Sequence, residues 1–402
     1  MRIPLFILCL LSLPAILPGC ILLEDGRLSG PHSRMDCSRE GRRPVREHAG
    51  GDVWGRNDPD TVLLFSAVRF PDDYDWQRDT AYGSVPFELL LYRDFEPVLT
   101  LQYGPEACFS PDPARHHLLS GHLYTERAAD GQTRIGRDGT ELFRFAGREL
   151  LVGLLEDGDD LYTLSQPGAD GGFTFRRNGT LLLERPDGVP FGSLADPSCG
   201  PTGALRRDGG QVVFCYRSGR SLFVVRDGQQ AGLEPPRSGA PVLDIKVVDG
   251  KPVILQSPFR RSTLSEGRIW PEGTSYAVTG RFVDFAGNTA CSYLDAAGSL
   301  IEQILCREEA IAYHSPEATF AIAARADGSL AWYGPDGSGL EPGPVLFPSP
   351  SCALAAGSRL LLAFTPKDKR RHPLVRYGRR ESEVDLHGYI SSVGVLVSQP
   401  AS

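Results

Sequence analysis

From Phe70 to Tyr82 the chain reads Phe-Pro-Asp-Asp-Tyr-Asp-Trp-Gln-Arg-Asp-Thr-Ala-Tyr, so that Tyr74, Trp76 and Tyr82 are interleaved with Asp72, Asp73, Asp75 and Asp79. These residue types together suit the binding of sugars. An aromatic ring offers a flat apolar face to the C–H face of a pyranose, and ionised carboxylates accept hydrogen bonds from its hydroxyls. Tyr74, Trp76, Tyr82, Asp73 and Asp75 are therefore candidate ligand-binding residues. The competing reading is a long connection between strands whose aromatics cap the core. Glu156-Asp157-Gly158-Asp159-Asp160 is dense in carboxylate oxygen, the ligand type of Ca²⁺, but it lacks EF-hand spacing and reads equally as a solvated hairpin turn. His116, His117 and His122 lie within seven residues; on one strand the outer two stand about 20 Å apart, so a shared metal requires a chain reversal at Ser120-Gly121. No G-x-S-x-G, H-E-x-x-H or Walker A stretch occurs, and no C-x-x-C. No catalytic residue, metal ligand set or cofactor site is assigned.

The elements around these residues read as strands. Tight-turn dipeptides alternate with short apolar runs: Arg137-Asp138-Gly139-Thr140 separates Thr133–Ile135 from Leu142-Phe143, and Arg177-Asn178-Gly179-Thr180 separates Phe173–Phe175 from Leu181–Leu183. Asp-Gly and Asn-Gly adopt positive φ readily, and such turns match the twist of paired strands. The same glycine recurs at Gly139, Gly179, Gly228, Gly267, Gly298, Gly337 and Gly378, at intervals of 31 to 49 residues and mostly near 40. A glycine-free version lies at Leu89–Asp94, and a second hairpin precedes most of them, as at Leu243–Gly250. About four strands in about 40 residues is the period of a propeller blade. The fold class expected is all-β, a β-propeller of seven or eight four-stranded blades, with a β-sandwich pair or an irregular β-solenoid as the alternatives. The apolar stretch from His387 to Val397 is placed to close the ring against Thr61–Phe65. Ser299–His314, free of Gly and Pro, reads as two strands with a polar turn at Arg307-Glu308-Glu309.

Composition agrees with many turns: 45 glycines and 32 prolines in 402 residues. The net charge of −8 gives no support for nucleic-acid binding. Only four lysines occur against many arginines, which reads as genome composition before it reads as a recognition surface. Export makes disulfides available, yet Cys37, Cys108, Cys199, Cys215, Cys291, Cys306 and Cys352 are an odd number, and Cys215 sits in an apolar run that suits a buried thiol.

The amino terminus supplies an address. Met1-Arg2 gives a short basic start, and Ile3–Leu17 an apolar stretch too short to span a bilayer. Leu17-Pro18-Gly19-Cys20 resembles the bacterial lipobox, which implies a signal peptide over 1–19 and lipidation at Cys20. Ile21 in place of aspartate after it implies, by analogy with enterobacterial sorting, an outer-membrane lipoprotein. Residues 20–58, rich in Gly, Pro and charge, read as the lipidated cysteine and a flexible tether, and 59–398 as the propeller-like domain. Asp60-Thr61-Val62 and Asp79-Thr80-Ala81 resemble the short O-glycosylation signal of Bacteroidota, which implies modification at Thr61 and Thr80. Asn178-Gly179-Thr180 fits the N-glycosylation pattern but falls in a turn.

The function expected is an envelope-anchored binding or scaffold lipoprotein, held in the membrane through Cys20, that recognises a glycan or an envelope protein and no nucleic acid. One alternative is a periplasm-facing outer-membrane assembly factor. The chain is similar in layout to the propeller lipoprotein of the barrel-assembly machinery, whose tryptophan-bearing blade repeat is not matched by its Arg-Asp-Gly turns and four tryptophans. A second alternative is a propeller glycoside hydrolase or lyase, with carboxylates converging on the ring axis.

Overall fold

The computed structural model describes residues 61–77, 85–105, 115–167, 171–192, 203–236, 239–257, 264–283, 289–294, 300–306, 310–325, 329–334, 339–346, 352–366, 372–378 and 380–397. Every regular element among them is a strand. The first group holds β1 (Thr61–Arg69), β2 (Phe87–Arg93) and β3 (Glu96–Tyr103). The second holds β4 (His116–Leu119), β5 (His122–Ala129), β6 (Gln132–Arg137) and β7 (Thr140–Ala146). The third holds β8 (Leu150–Asp157), β9 (Asp160–Gln166), β10 (Phe173–Arg177) and β11 (Thr180–Arg185). The fourth holds β12 (Gly188–Pro190), β13 (Arg206–Asp208), β14 (Gln211–Ser218), β15 (Ser221–Arg226) and β16 (Gln229–Leu233). A hairpin of β17 (Val242–Val248) and β18 (Lys251–Gln256) precedes a sheet of β19 (Leu264–Glu272), β20 (Ser275–Val283), β21 (Thr289–Leu294) and β22 (Leu300–Cys306). Then come β23 (Ala310–His314), β24 (Thr319–Ala324), β25 (Ser329–Tyr333) and β26 (Gly339–Leu346), and after them β27 (Ala353–Ala356), β28 (Arg359–Pro366), β29 (Leu374–Tyr377) and β30 (Arg380–Glu383). Those last two groups share an edge pairing of β26 with β28.

The final strand, β31 (Gly388–Val397), does not extend the last group. It pairs antiparallel with β1, from Thr61 opposite Val397 to Arg69 opposite Gly388, giving the order β3-β2-β1-β31. The C-terminus thus supplies the innermost strand of the first group and closes the ring, as the two unpartnered apolar stretches predict. A bulge at Ser391 accommodates the twist, and Ser66 Oγ meets the Ser391 and Ser392 hydroxyls there, all buried.

Burial falls from the inner to the outer edge across the first three groups, and the fourth ends in an exposed edge strand. β4 and β8 are almost wholly buried, whereas β3, β7, β11 and β16 are largely exposed. The strands between them are covered on both faces, which is why they read as continuous apolar runs. On β1, Leu63, Phe65 and Ala67 pack against Leu361, Ala363 and Val375 of the last group. The alternate residues Leu64 and Val68 pack with Leu118 and Leu123 of the second group. Each such side chain contributes roughly 1.5–3 kcal/mol when buried, and one sheet cannot bury both of its faces alone. The same face-to-face packing continues between the second and third groups, the third and fourth, and the last two. A small-residue face of Ala310, Ala312, Ala321, Ala323 and Ala331 lets β23 lie close against β20 and β21. The body is an all-β, propeller-like fold.

One device repeats. Asp138, between β6 and β7, has φ +50° and exchanges two hydrogen bonds with Leu123 of β5: its N–H donates to Leu123 O and its Oδ1 accepts from Leu123 N, each at 2.9 Å. Asp94 does the same to Leu63, Asn178 to Leu161, and Asp227 to Val212. The side chain stands in for one more residue of ladder, so these turns select Asp or Asn for the carboxylate or amide as well as for positive φ. In the last group Gly378 takes the position and makes the backbone half alone, to Leu360 O at 3.0 Å.

Two expectations are corrected. Gly267 is no turn glycine; it lies inside β19, where a Cβ would come within 2.6 Å of Leu255, and the reversal falls at Gly273. The short interval it created therefore does not mark a separate unit. Ser299–His314 does contain two strands, β22 and β23, but they belong to different sheets, so the segment between them joins neighbouring groups. Gly298, Gly337 and Arg307-Glu308-Glu309 lie outside the described residues, as do the leader and tether.

Candidate binding cleft

Antiparallel order sorts the connections onto two faces. First-to-second and third-to-fourth reversals leave one face, among them the tight turns Ser120-Gly121, Asp138-Gly139 and Asp227-Gly228. Second-to-third and group-to-group connections leave the other face, where the described stretches 70–77 after β1 and 384–387 before β31 lie.

The 70–77 segment is pinned to that face from below. Phe70 N–H donates to His387 O (2.9 Å), Tyr74 N–H to Pro71 O (3.0 Å) and Trp76 N–H to Tyr74 O (3.0 Å). His387 Nε2 lies 2.9 Å from Tyr74 O; a carbonyl only accepts, so Nε2 carries the proton. The Phe70 ring is surrounded by Tyr74, Trp76, Phe87 and Tyr389, with centroids 5.4, 6.1, 6.4 and 6.2 Å away. Trp76 is 4% exposed and also packs on Tyr389 at 5.7 Å. It anchors the loop, and its rings are not free to serve as a sugar platform, which corrects the role read from sequence. Tyr74 remains half-buried, with Asp72, Asp73 and Asp75 exposed around it.

These residues line a cleft of about 780 Å³ whose far wall is His372, Pro373 and Asp385 to Gly388. Four carboxylates, Asp72, Asp73, Asp75 and Asp385, face it. Among the described residues its one arginine, Arg69, is engaged by Glu88 across the β1–β2 ladder, and His372 Nδ1 lies 3.7 Å from Asp385 Oδ1. A second cleft of about 620 Å³ adjoins it, sharing Arg69 and Asp72 and lined further by Pro71, Pro86, Phe87, Gln102 and Tyr103. Tyr103 is half-buried and stacked on Phe87 at 5.2 Å; burial holds its phenol above the ordinary value, so it stays neutral.

The structure places Asp73, Tyr74 and Asp75 along one wall, with Trp76 buried against Phe70 and Tyr389. Asp385, His372, His387 and Arg69 were not read from sequence. No local signal marks them, because ring closure delivers three of them from some three hundred residues away. Thr61 is the first residue of β1, half-buried opposite Val397. Tyr82, Thr80 and Cys20 lie outside the described residues.

The other candidates are accounted for by packing. Ser120-Gly121 does reverse the chain, but His116 faces Thr125 and His122 faces Leu119, at opposite ends of the hairpin, and His122 pairs with Asp138. In the acidic turn, Glu156 accepts from Tyr124 Oη, Asp157 meets Arg207 at 2.7 Å, and Asp160 meets Arg177 and Asn178. Among the described residues no three His, Cys, Asp or Glu side chains gather as a metal site. Asn178 spends its amide within its turn, bonding Leu161 N and Asp160. Cys215 and Cys352 are buried and form no disulfide; the Cys352 thiol donates to Ile390 O at 3.4 Å, and burial pushes the Cys215 thiol up to about 12.

No family model matches the chain, and no curated protein does. Solved structures with similar folds include BBS1N in complex with ARL6DN (13% identity, 73% of this chain and 83% of that one, TM-score 0.38). The Synechocystis apocarotenoid oxygenase is similar at 10% identity (85% and 93% covered, TM-score 0.37), and the SapL1 lectin with alpha methyl fucoside at 11% (73% and 99%, TM-score 0.31). These are resemblances of fold alone.

Proposed function

We propose that the body is the recognition end of an envelope lipoprotein anchored through Cys20, and that the cleft between the 70–77 loop and the approach to β31 binds a glycan. The observation that carries this reading is the convergence of Tyr74 with Asp72, Asp73, Asp75 and Asp385 on one wall-to-wall cleft. Tyr74 offers a ring backed by Phe70, and the carboxylates offer acceptors to hydroxyls. Trp76 and His387 hold the loop from within, which spares a ligand the cost of ordering it.

The test is binding of the detergent-purified full chain to a panel of immobilised saccharides. Asp73→Asn and Tyr74→Ala should each weaken the best hit about tenfold, the worth of one hydrogen bond to a charged group or one stacking contact. Unchanged affinity in both variants removes the cleft as the site. Protease shaving of intact cells, read by mass spectrometry over residues 60–402, then tests the address: release of the body is expected, and full protection turns the reading towards the periplasm-facing alternative.

A further inference from the structure

The glycan-binding cleft does not end at its own wall. It continues across Arg69 and Asp72 into the second cavity, and each cavity has its own half-exposed tyrosine with a phenylalanine behind it. Tyr74 lies on Phe70 and Tyr103 on Phe87, and Phe70 and Phe87 touch each other. This chain of rings, with centroids 5.4, 6.4 and 5.2 Å apart, keeps the two tyrosines within about 17 Å, the reach of a few linked sugar rings. Arg69 and Asp72 line both cavities, and Glu88, held by Arg69 and by Gln102 Nε2 at 3.5 Å, lines the second.

The sign of the charge is equally uneven. Among the described residues four carboxylates face the first cavity, and the arginine that lines it is paired with Glu88. An anionic ligand would meet like charge from those four carboxylates, while hydroxyl or amino groups would meet acceptors.

Building on the cleft reading, we infer that the ligand is a linear, non-anionic oligosaccharide, neutral or amino-bearing, that passes Arg69, a residue common to both cavities, and stacks on both Tyr74 and Tyr103. A single sugar would fill one cavity only.

The probes are defined saccharides from mono- to hexasaccharide length, neutral, amino-bearing, uronic and sulfated, applied to the full chain. Affinity for neutral or amino-bearing chains should rise with length until both cavities are spanned, and acidic chains should bind at least about tenfold more weakly. Tyr103→Ala should remove the gain from length and leave the shortest binders unaffected. Gln102→Trp serves as the second variant because Gln102 is exposed; its bulk should block the second cavity without disturbing the core. Affinity independent of length, indifference to Gln102→Trp, or a preference for acidic chains overturns the inference while leaving the first cleft standing. If no saccharide of any length binds, the glycan reading itself falls and this inference with it.

Discussion

His116 is 2% exposed, and burial, with His117 beside it, lowers its pKa to about 3. A proton therefore prefers the unfolded chain, where the ordinary value is about 6.5. The stability tied to neutral His116 is complete above pH 6.5 and is lost as pH falls towards 3, at roughly 1.4 kcal/mol per unit. Urea unfolding at pH 7 and pH 5 should show His116→Leu losing about 2 kcal/mol less than the parent over that interval. Parallel losses would show that the imidazole is not held neutral. At this scale the sequence is a partial guide. It marks Asp138, Asn178 and Asp227 as turn residues, because positive φ is a local demand. It does not reveal that their side chains extend the ladder by one residue and accept from the paired neighbouring strand, because that partner is set by pairing. Nor does it separate His116 from His117, adjacent residues of which one is sealed between sheets.

Among elements, the loop after β1 shows where such reading stops. A strand has a period of two, so buried and exposed positions can be assigned from pattern. A loop has none, so Tyr74 and Trp76 look alike in sequence although one lines the cleft with a half-open ring and the other lies in the core. Their substitutions should part accordingly. Trp76→Ala should cost about 3–5 kcal/mol and lower the melting temperature, the usual range for a buried aromatic. Tyr74→Ala should cost well under half as much in the same melt and act on binding. Comparable losses from both would mean that Tyr74 is also a core residue. The strand runs were legible for the opposite reason: they are apolar on both faces and bounded by turn residues, although nothing in them says which face meets which neighbouring sheet. Gly267 misled because a glycine inside a strand, needed there for the approach of Leu255, looks like a turn glycine when taken alone.

Over the whole molecule, closure is the decisive contact. β31 covers β1 and supplies Tyr389, Ile390 and Val393 to the cores on both sides of the first group. Truncation after His387 should expose both and leave β1 an open edge, giving an insoluble or molten chain by circular dichroism and gel filtration. Removal of residues 398–402 alone should leave folding intact. A soluble, cooperatively melting product of the longer truncation would show that the ring holds without its last strand. Closure was readable from sequence because each end of the chain carried an apolar strand with no neighbour to pair with. The far wall of the cleft was not, since His372 and Asp385 acquire a relation to Tyr74 only after the ring is shut.

The same pairing gives the body a front and a back. Thr61 and Val397 are neighbours, so the first and last described residues lie together on the tight-turn side. The cleft begins at Arg69, the other end of the same strand, some 25–30 Å away at about 3.3 Å per residue. Any leash drawn from the amino terminus pulls on the back, and the aperture looks the other way. Were the body held through an amino-terminal anchor, as proposed, the attachment would enter at the Thr61 end of β1, the end opposite the cleft.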